Sequence, residues 1–143
     1  MGYKELLENT YMQAKTLGAC DRLTGSESLA ELCELFRSAQ GMEFCIENKF
    51  PNMATLREYK KLGVQQYGVY VDAGKVEIDN PEVVVLLGHT SATVNVNRLG
   101  RHRVYAIRGA NARITTSGWA VCVVKTDTSA HVIKVQNDNS III

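Results

Sequence analysis

Residues 84–96, VVLLGHTSATVNV, set out a pattern that returns twice, as YAIRGANARITTS at 105–117 and as VVKTDTSAHVIKV at 123–135. Each phrase is an apolar run, a group of turn formers, and then a small residue followed by alternating polar and apolar positions. The small residues are Ala92, Ala112 and Ala130. Gly74, in VYVDAGKVEID, takes the same place after a shorter turn, so the intervals are 18, 20 and 18 residues. A unit of this length that cannot bury an apolar face alone reads as one of a stack of β units, each covering its neighbour.

Two architectures satisfy the repeat. In a short β-solenoid each unit of 18 to 20 residues is one coil, the small residues occupy the corners, and preceding helices cap the first open edge. In the alternative each unit is a hairpin turning at Gly88–Ser91, Gly109–Asn111 and Asp127–Ser129, the hairpins packing as a meander, sandwich or barrel. The small-x-aliphatic rhythm, which recurs at Ala120-Val121-Cys122, favours the solenoid. Strands are expected near 83–87, 93–97, 104–108, 112–116, 120–125 and 130–135, with Ile141–Ile143 starting another. Ala112 then takes a packed position and Ala110 lies in a turn. So short a stack leaves an open edge at its apolar end, which a second copy would cover; a homo-oligomer is expected.

Upstream the period is helical. Tyr3, Leu6, Leu7, Tyr11, Ala14 and Leu17 mark one amphipathic helix, with Gly18 just past its end. Ser28 with Glu31 is a capping-box pattern opening a second helix striped by Leu29, Leu32, Cys33 and Phe36; Gly41 is expected to break or bend it before Met42–Asn48 resumes. Asn52 caps a third helix ending at Gly63. From Tyr67 the period becomes two, placing Tyr67 and Tyr70 on opposite sides of one strand. The expectation is an α+β fold in one compact unit: a helical array over 1–66 followed by a repetitive all-β region over 67–143.

With 143 residues, 45% of them hydrophobic, the chain can bury a core without covalent staples. Its net charge of +1 conceals an asymmetry: residues 1–80 hold 9 Lys/Arg against 12 Asp/Glu, and residues 81–143 hold 7 against 3. Such an imbalance steers an anion to the second half, or lets the acidic end of one copy meet the basic end of another. Met1–Leu6 has no apolar leader, and no run approaches the ~20 residues that cross a bilayer. A cytoplasmic protein without a membrane partner is expected. Leu6 stands where myristoylation after Gly2 wants Ser or Thr. Cys20, Cys33, Cys45 and Cys122 show neither zinc-ligand spacing nor disulfide density, and read as reduced thiols.

Catalytic chemistry is hard to assemble. Cys122 lies in an apolar run, His89 and His131 sit at different phases of their units, and only Glu82, Asp127 and Asp138 supply carboxylates after residue 80. No phosphate-cradling glycine pattern occurs. Neither a catalytic residue, nor a metal site, nor a cofactor is assigned. The one dense cluster is Arg98, Arg101, His102, Arg103, Arg108 and Arg113, five guanidinium groups within 16 positions beside Tyr105. Arg binds phosphate in a bidentate fork and stacks on bases, so a nucleotide or single-stranded nucleic acid is a candidate ligand; a solvated surface is the alternative. Trp119, after Gly118, reads as a core or corner residue, or as a ligand platform.

The segments Met42–Pro51 (MEFCIENKFP), Tyr67–Gly74 (YGVYVDAG) and Gly109–Ala112 (GANA) resemble small uncharacterised proteins of phages and mobile elements of gut bacteria. That resemblance brings no catalytic residues. It implies a virion component or host-directed factor in the host cytoplasm or virion, acting on a host or virion protein. The leading expectation is a non-enzymatic, self-associating interaction protein; the alternative is a nucleotide or nucleic-acid binder, such as one that sequesters a nucleotide signal through the Arg cluster.

Overall fold

The computed structural model describes residues 2–143. Four helices precede a β-solenoid of about four turns. The chain divides into two compact units, one ending at Val69 and the other spanning Tyr70–Ile143. The boundary falls past residue 66 because Val64–Tyr67 is a 3-10 turn packed on the helices. Tyr67 therefore belongs to that turn and does not share a strand with Tyr70.

The helical unit contains α1 (Tyr3–Thr16), α2 (Leu29–Arg37), α3 (Ala39–Asn48) and α4 (Met53–Lys61). Helices α2, α3 and α4 begin where side chains satisfy free amides. The Ser28 hydroxyl accepts from the Glu31 amide (3.1 Å) while the Glu31 carboxylate accepts from the Ser28 amide (2.9 Å), and Asn52 Oδ1 accepts from Thr55 N (2.9 Å). The break expected at Gly41 occurs three residues earlier. Ser38 ends α2 and caps α3, its Oγ accepting from the Gly41 amide at 3.0 Å. Gly41 lies inside α3 for a steric reason: a Cβ there would stand 2.0 Å from the Leu35 carbonyl oxygen. Only glycine lets the two helices meet so closely. Thr10 Oγ1 and the Tyr59 hydroxyl, 2.6 Å apart and buried, tie α1 to α4.

The β unit is built from β1 (Val69–Val71), β2 (Gly74–Asp79), β3 (Val83–Leu87), β4 (Thr90–Val96), β5 (Arg101–Ile107), β6 (Asn111–Thr116), β7 (Val121–Thr126), β8 (His131–Gln136) and β9 (Ile141–Ile142). Odd strands form one sheet in the order β1-β3-β5-β7-β9 and even strands the other, β2-β4-β6-β8. The pairs β2–β4, β3–β5, β4–β6, β5–β7, β6–β8 and β7–β9 are all parallel, as coils demand and hairpins forbid. Val84, Leu86, Val104 and Ala106 from the odd sheet and Val94, Ile114 and Ala112 from the even sheet form one inner core.

Register revises the expected equivalences. Ala92 pairs with Ala112, but Ala112 pairs with Val132, and Val76 with Ala92. Gly74 pairs instead with Thr90, a step of 16 (74 to 90), whereas the later coils step by 20 (92 to 112, 112 to 132). Gly74 and Ala130 thus belong two residues earlier in the coil, in the corner. Ala130 precedes His131 just as Ala110 precedes the Asn111 that His131 pairs with. Ala110 lies in its turn and is nonetheless completely buried in the inner core.

Bends leave amides that no strand can satisfy, and carboxylates or carboxamides of adjacent coils accept them. Asp72 accepts from His89 N (2.8 Å), Asp127 from Arg108 N (2.9 Å), Asp138 from Gly118 N (2.9 Å), and Asn80 from Asn97 N (2.9 Å) and Arg98 N (3.1 Å).

Candidate functional site

The expected Arg site does not converge. Arg101 and Arg103 alternate with inward-facing His102 and Val104, so they project from the outer face of the odd sheet. Arg113 projects from the outer face of the even sheet, between Thr93 and Ile133. Arg98 and Arg108 occupy two different bends, the first after β4 and the second after β5. A span of 16 residues is most of a 20-residue coil, so neighbours in sequence are carried around the perimeter. His102 leaves the cluster altogether. It is buried, with Nδ1 2.7 Å from the Pro81 carbonyl oxygen and Nε2 3.2 Å from that of Arg98.

What does converge lies in columns across coils. Val121 stacks between Arg101 and Ile141, and Val123 beside Arg103, all on the outer face of the odd sheet. Ile143 follows on the same face, its amide donating to Cys122 O at 2.9 Å. Leu99 and Trp119, two residues before the paired Arg101 and Val121, occupy successive bends. Their exposure is high for apolar side chains: 84% at Leu99, 69% at Trp119, 49% at Ile141 and 64% at Ile143. Trp119 is a corner residue, then, but not a core one. Arg101 and Arg103 sit alongside this apolar strip, which resembles the aromatic and Arg composition of docking surfaces.

The end of the solenoid is built differently. Lys134 continues the inward column above Ile114 and Gln136 the one above Thr116, so a charged group follows an aliphatic one in the first column and a larger polar group follows a hydroxyl in the second. Gln136 Oε1 accepts from the amide of Ile142 at 2.8 Å.

A second concave feature belongs to the helical unit. Between α1, the 18–23 segment, α2 and α3 is a pocket of about 360 Å³. Ala14, Ala19 and Leu23 line one side, Leu35 and Phe36 a second, and Phe44, Cys45 and Phe50 a third. Phe44 and Phe50 meet edge to face, their centroids 6.0 Å apart. Hydroxyls in the lining are already engaged: Thr10 Oγ1 donates to Leu6 O (2.8 Å), and Ser38 Oγ donates to Leu35 O (2.6 Å). The sequence marked Ala14, Leu32 and Phe36 as ordinary helix stripes and Gly41 as a helix break, and gave no role to Ser38, whose junction with Gly41 shapes one wall.

The thiols divide by burial. Cys20 is exposed; Cys33 and Cys122 are buried, and burial pushes each up to about 11, far from the thiolate a nucleophile requires. Among the described residues no group of three or more His, Cys, Asp or Glu is placed to hold a metal ion, and no helix is long and apolar enough to cross a membrane. No protein-family model, curated protein or solved structure matches the chain.

Proposed function

We propose that the protein is a non-enzymatic interaction module that self-associates through the outer face of the odd sheet near its last coils. The observation that carries this reading is the exposed strip of Leu99, Trp119, Ile141 and Ile143 beside Arg101 and Arg103. Exposed apolar columns of this kind mark interaction sites, and aromatic side chains anchor them. The occupant is a second copy: the guanidinium groups face outward, and residues 1–80 supply a surplus of carboxylates, 12 against 9 basic residues. The phage or mobile-element context, with a host or virion protein as further partner, is part of the proposal on the strength of the resemblance alone. Nucleotide binding loses its main support with the dispersal of the Arg side chains.

Light scattering on the full chain over a range of concentrations tests the reading. The wild type is expected to exceed the monomer mass, Trp119→Ser with Ile141→Ser to return it to monomer, and added salt to weaken association because Arg–carboxylate pairs at a rim are screened. A wild type that stays monomeric, or a double variant that keeps the wild-type mass, would falsify it.

A further inference from the structure

We infer that the α1–α3 pocket of the helical unit is a binding site for a small amphipathic anion, a monocarboxylate with an aliphatic or aromatic body. The volume of about 360 Å³ lies in the range of small-ligand pockets and is too large to be a packing defect. Its lining is mainly apolar: the Thr10 and Ser38 hydroxyls spend their protons on the Leu6 and Leu35 carbonyls, and Gln40 is the one carboxamide among the lining side chains. The body of the ligand is therefore apolar, resting against Phe36, Phe44 and Leu23.

The charge of the ligand follows from the rim. Among the described residues Arg22 is the one charged side chain in the lining; it is exposed and makes no ion pair. Its neighbour Asp21 is fully exposed and reaches Lys15 Nζ at 3.9 Å. The same Lys15 ammonium donates to the Cys20 carbonyl at 2.8 Å and so ties α1 to the segment that carries Arg22. A guanidinium beside an apolar hollow selects a carboxylate head with a hydrophobic tail, because the fork receives both oxygens while the tail leaves water.

The site is independent of self-association through the solenoid, and its test reads binding rather than mass. Decanoate and its neutral counterpart decanol are titrated calorimetrically into the full chain. Decanoate is expected to bind more tightly, and Arg22→Gln to weaken decanoate by about tenfold while leaving decanol unchanged, as loss of one charge-assisted contact predicts. Ala19→Phe, which fills the hollow, is expected to abolish both. Should that variant fold poorly, amide shifts in the wild type on adding decanoate are expected at Ala14, Leu23, Phe36 and Phe44. Absence of decanoate binding, equal affinity for decanol, equal loss of both in Arg22→Gln, retained binding in a folded Ala19→Phe, or shifts confined to solenoid amides would each overturn the assignment.

Discussion

The two units of this chain bring residues together by different rules. In the helical unit, residues as far apart as Thr10 and Tyr59 meet because short capped helices fold back on one another, and the result is a concave hollow. In the solenoid, sequence neighbours diverge around a perimeter, and convergence occurs only between positions one coil apart, such as Arg101, Val121 and Ile141. Surfaces made in this second way are flat and extended. A helical pocket suits a small molecule and a solenoid face suits another macromolecule, so the two proposed activities divide along the same line as the two folds.

The largest expected effect breaks the solenoid at a corner. Ala110→Asp buries an unpaired carboxylate in a space fully closed to solvent, and Ala112→Asp does so one position pair further on, where exposure is 4%. Each is expected to destabilise the β unit by about 3–5 kcal/mol. Denaturant unfolding followed by amide exchange should show solenoid amides losing protection in both variants to a similar degree. If Ala110→Asp proves harmless while Ala112→Asp is not, the corner is open and the column assignment fails.

Gly41→Ala makes the matching cut in the helical unit. Its Cβ, 2.0 Å from a backbone oxygen, forces the α2–α3 junction apart at a cost of about 2–3 kcal/mol. The expected signature is loss of protection in α2 and α3 amides, together with loss of decanoate binding, while β4–β7 amides keep theirs. Loss of protection in both units at once would show that they unfold as one body and would blunt the comparison.

How far sequence could reach differs between the units for physical reasons. Strand positions from Val83 onward were legible because alternation reports which side chains face inward. Equivalence between coils was not: a slip of two residues preserves every inward and outward assignment, so Gly74 and Ala130 looked interchangeable with Ala92 although they sit in the corner. The same geometry misled on charge. Arg98 to Arg113 is compact as text and dispersed as a coil, and His102 turned inward by simple alternation. The strip of Leu99, Trp119 and Ile141 had a readable signal, the 20-residue spacing of Leu99 and Trp119, once the coil length was known. The pocket had none. Phe36 belongs to a normal amphipathic stripe, and whether facing stripes close or leave a hollow depends on the junction at Ser38, where the glycine three residues on drew attention as the break and the cap itself carried no stripe signal.

The smallest expected effect sharpens what holds successive coils in register. Asp127 sits in the bend between β7 and β8, where its carboxylate accepts from the Arg108 amide (2.9 Å) of the preceding coil and from both the amide (3.0 Å) and hydroxyl (2.6 Å) of Ser129. Partial burial works to raise its pKa, yet these hydrogen bonds to the charged form prevail and hold it below the ordinary carboxylate value. The folded-state value is therefore lower than the unfolded one. Asp127 contributes its stability above the unfolded carboxylate pKa and loses it as pH falls through the folded value. Asp127→Asn replaces one accepting oxygen by a donor and is expected to cost about 1 kcal/mol at neutral pH, with no cost at acid pH where the wild-type group is itself protonated. Exchange of the Arg108 amide should follow: faster in the variant than in the wild type at neutral pH after correction for intrinsic exchange rates, and converging with it as acid is added. Parallel pH profiles for the two proteins would mean that the parallel strands alone keep the coils in step, and that the Asp127 contact is a consequence of register and not one of its causes.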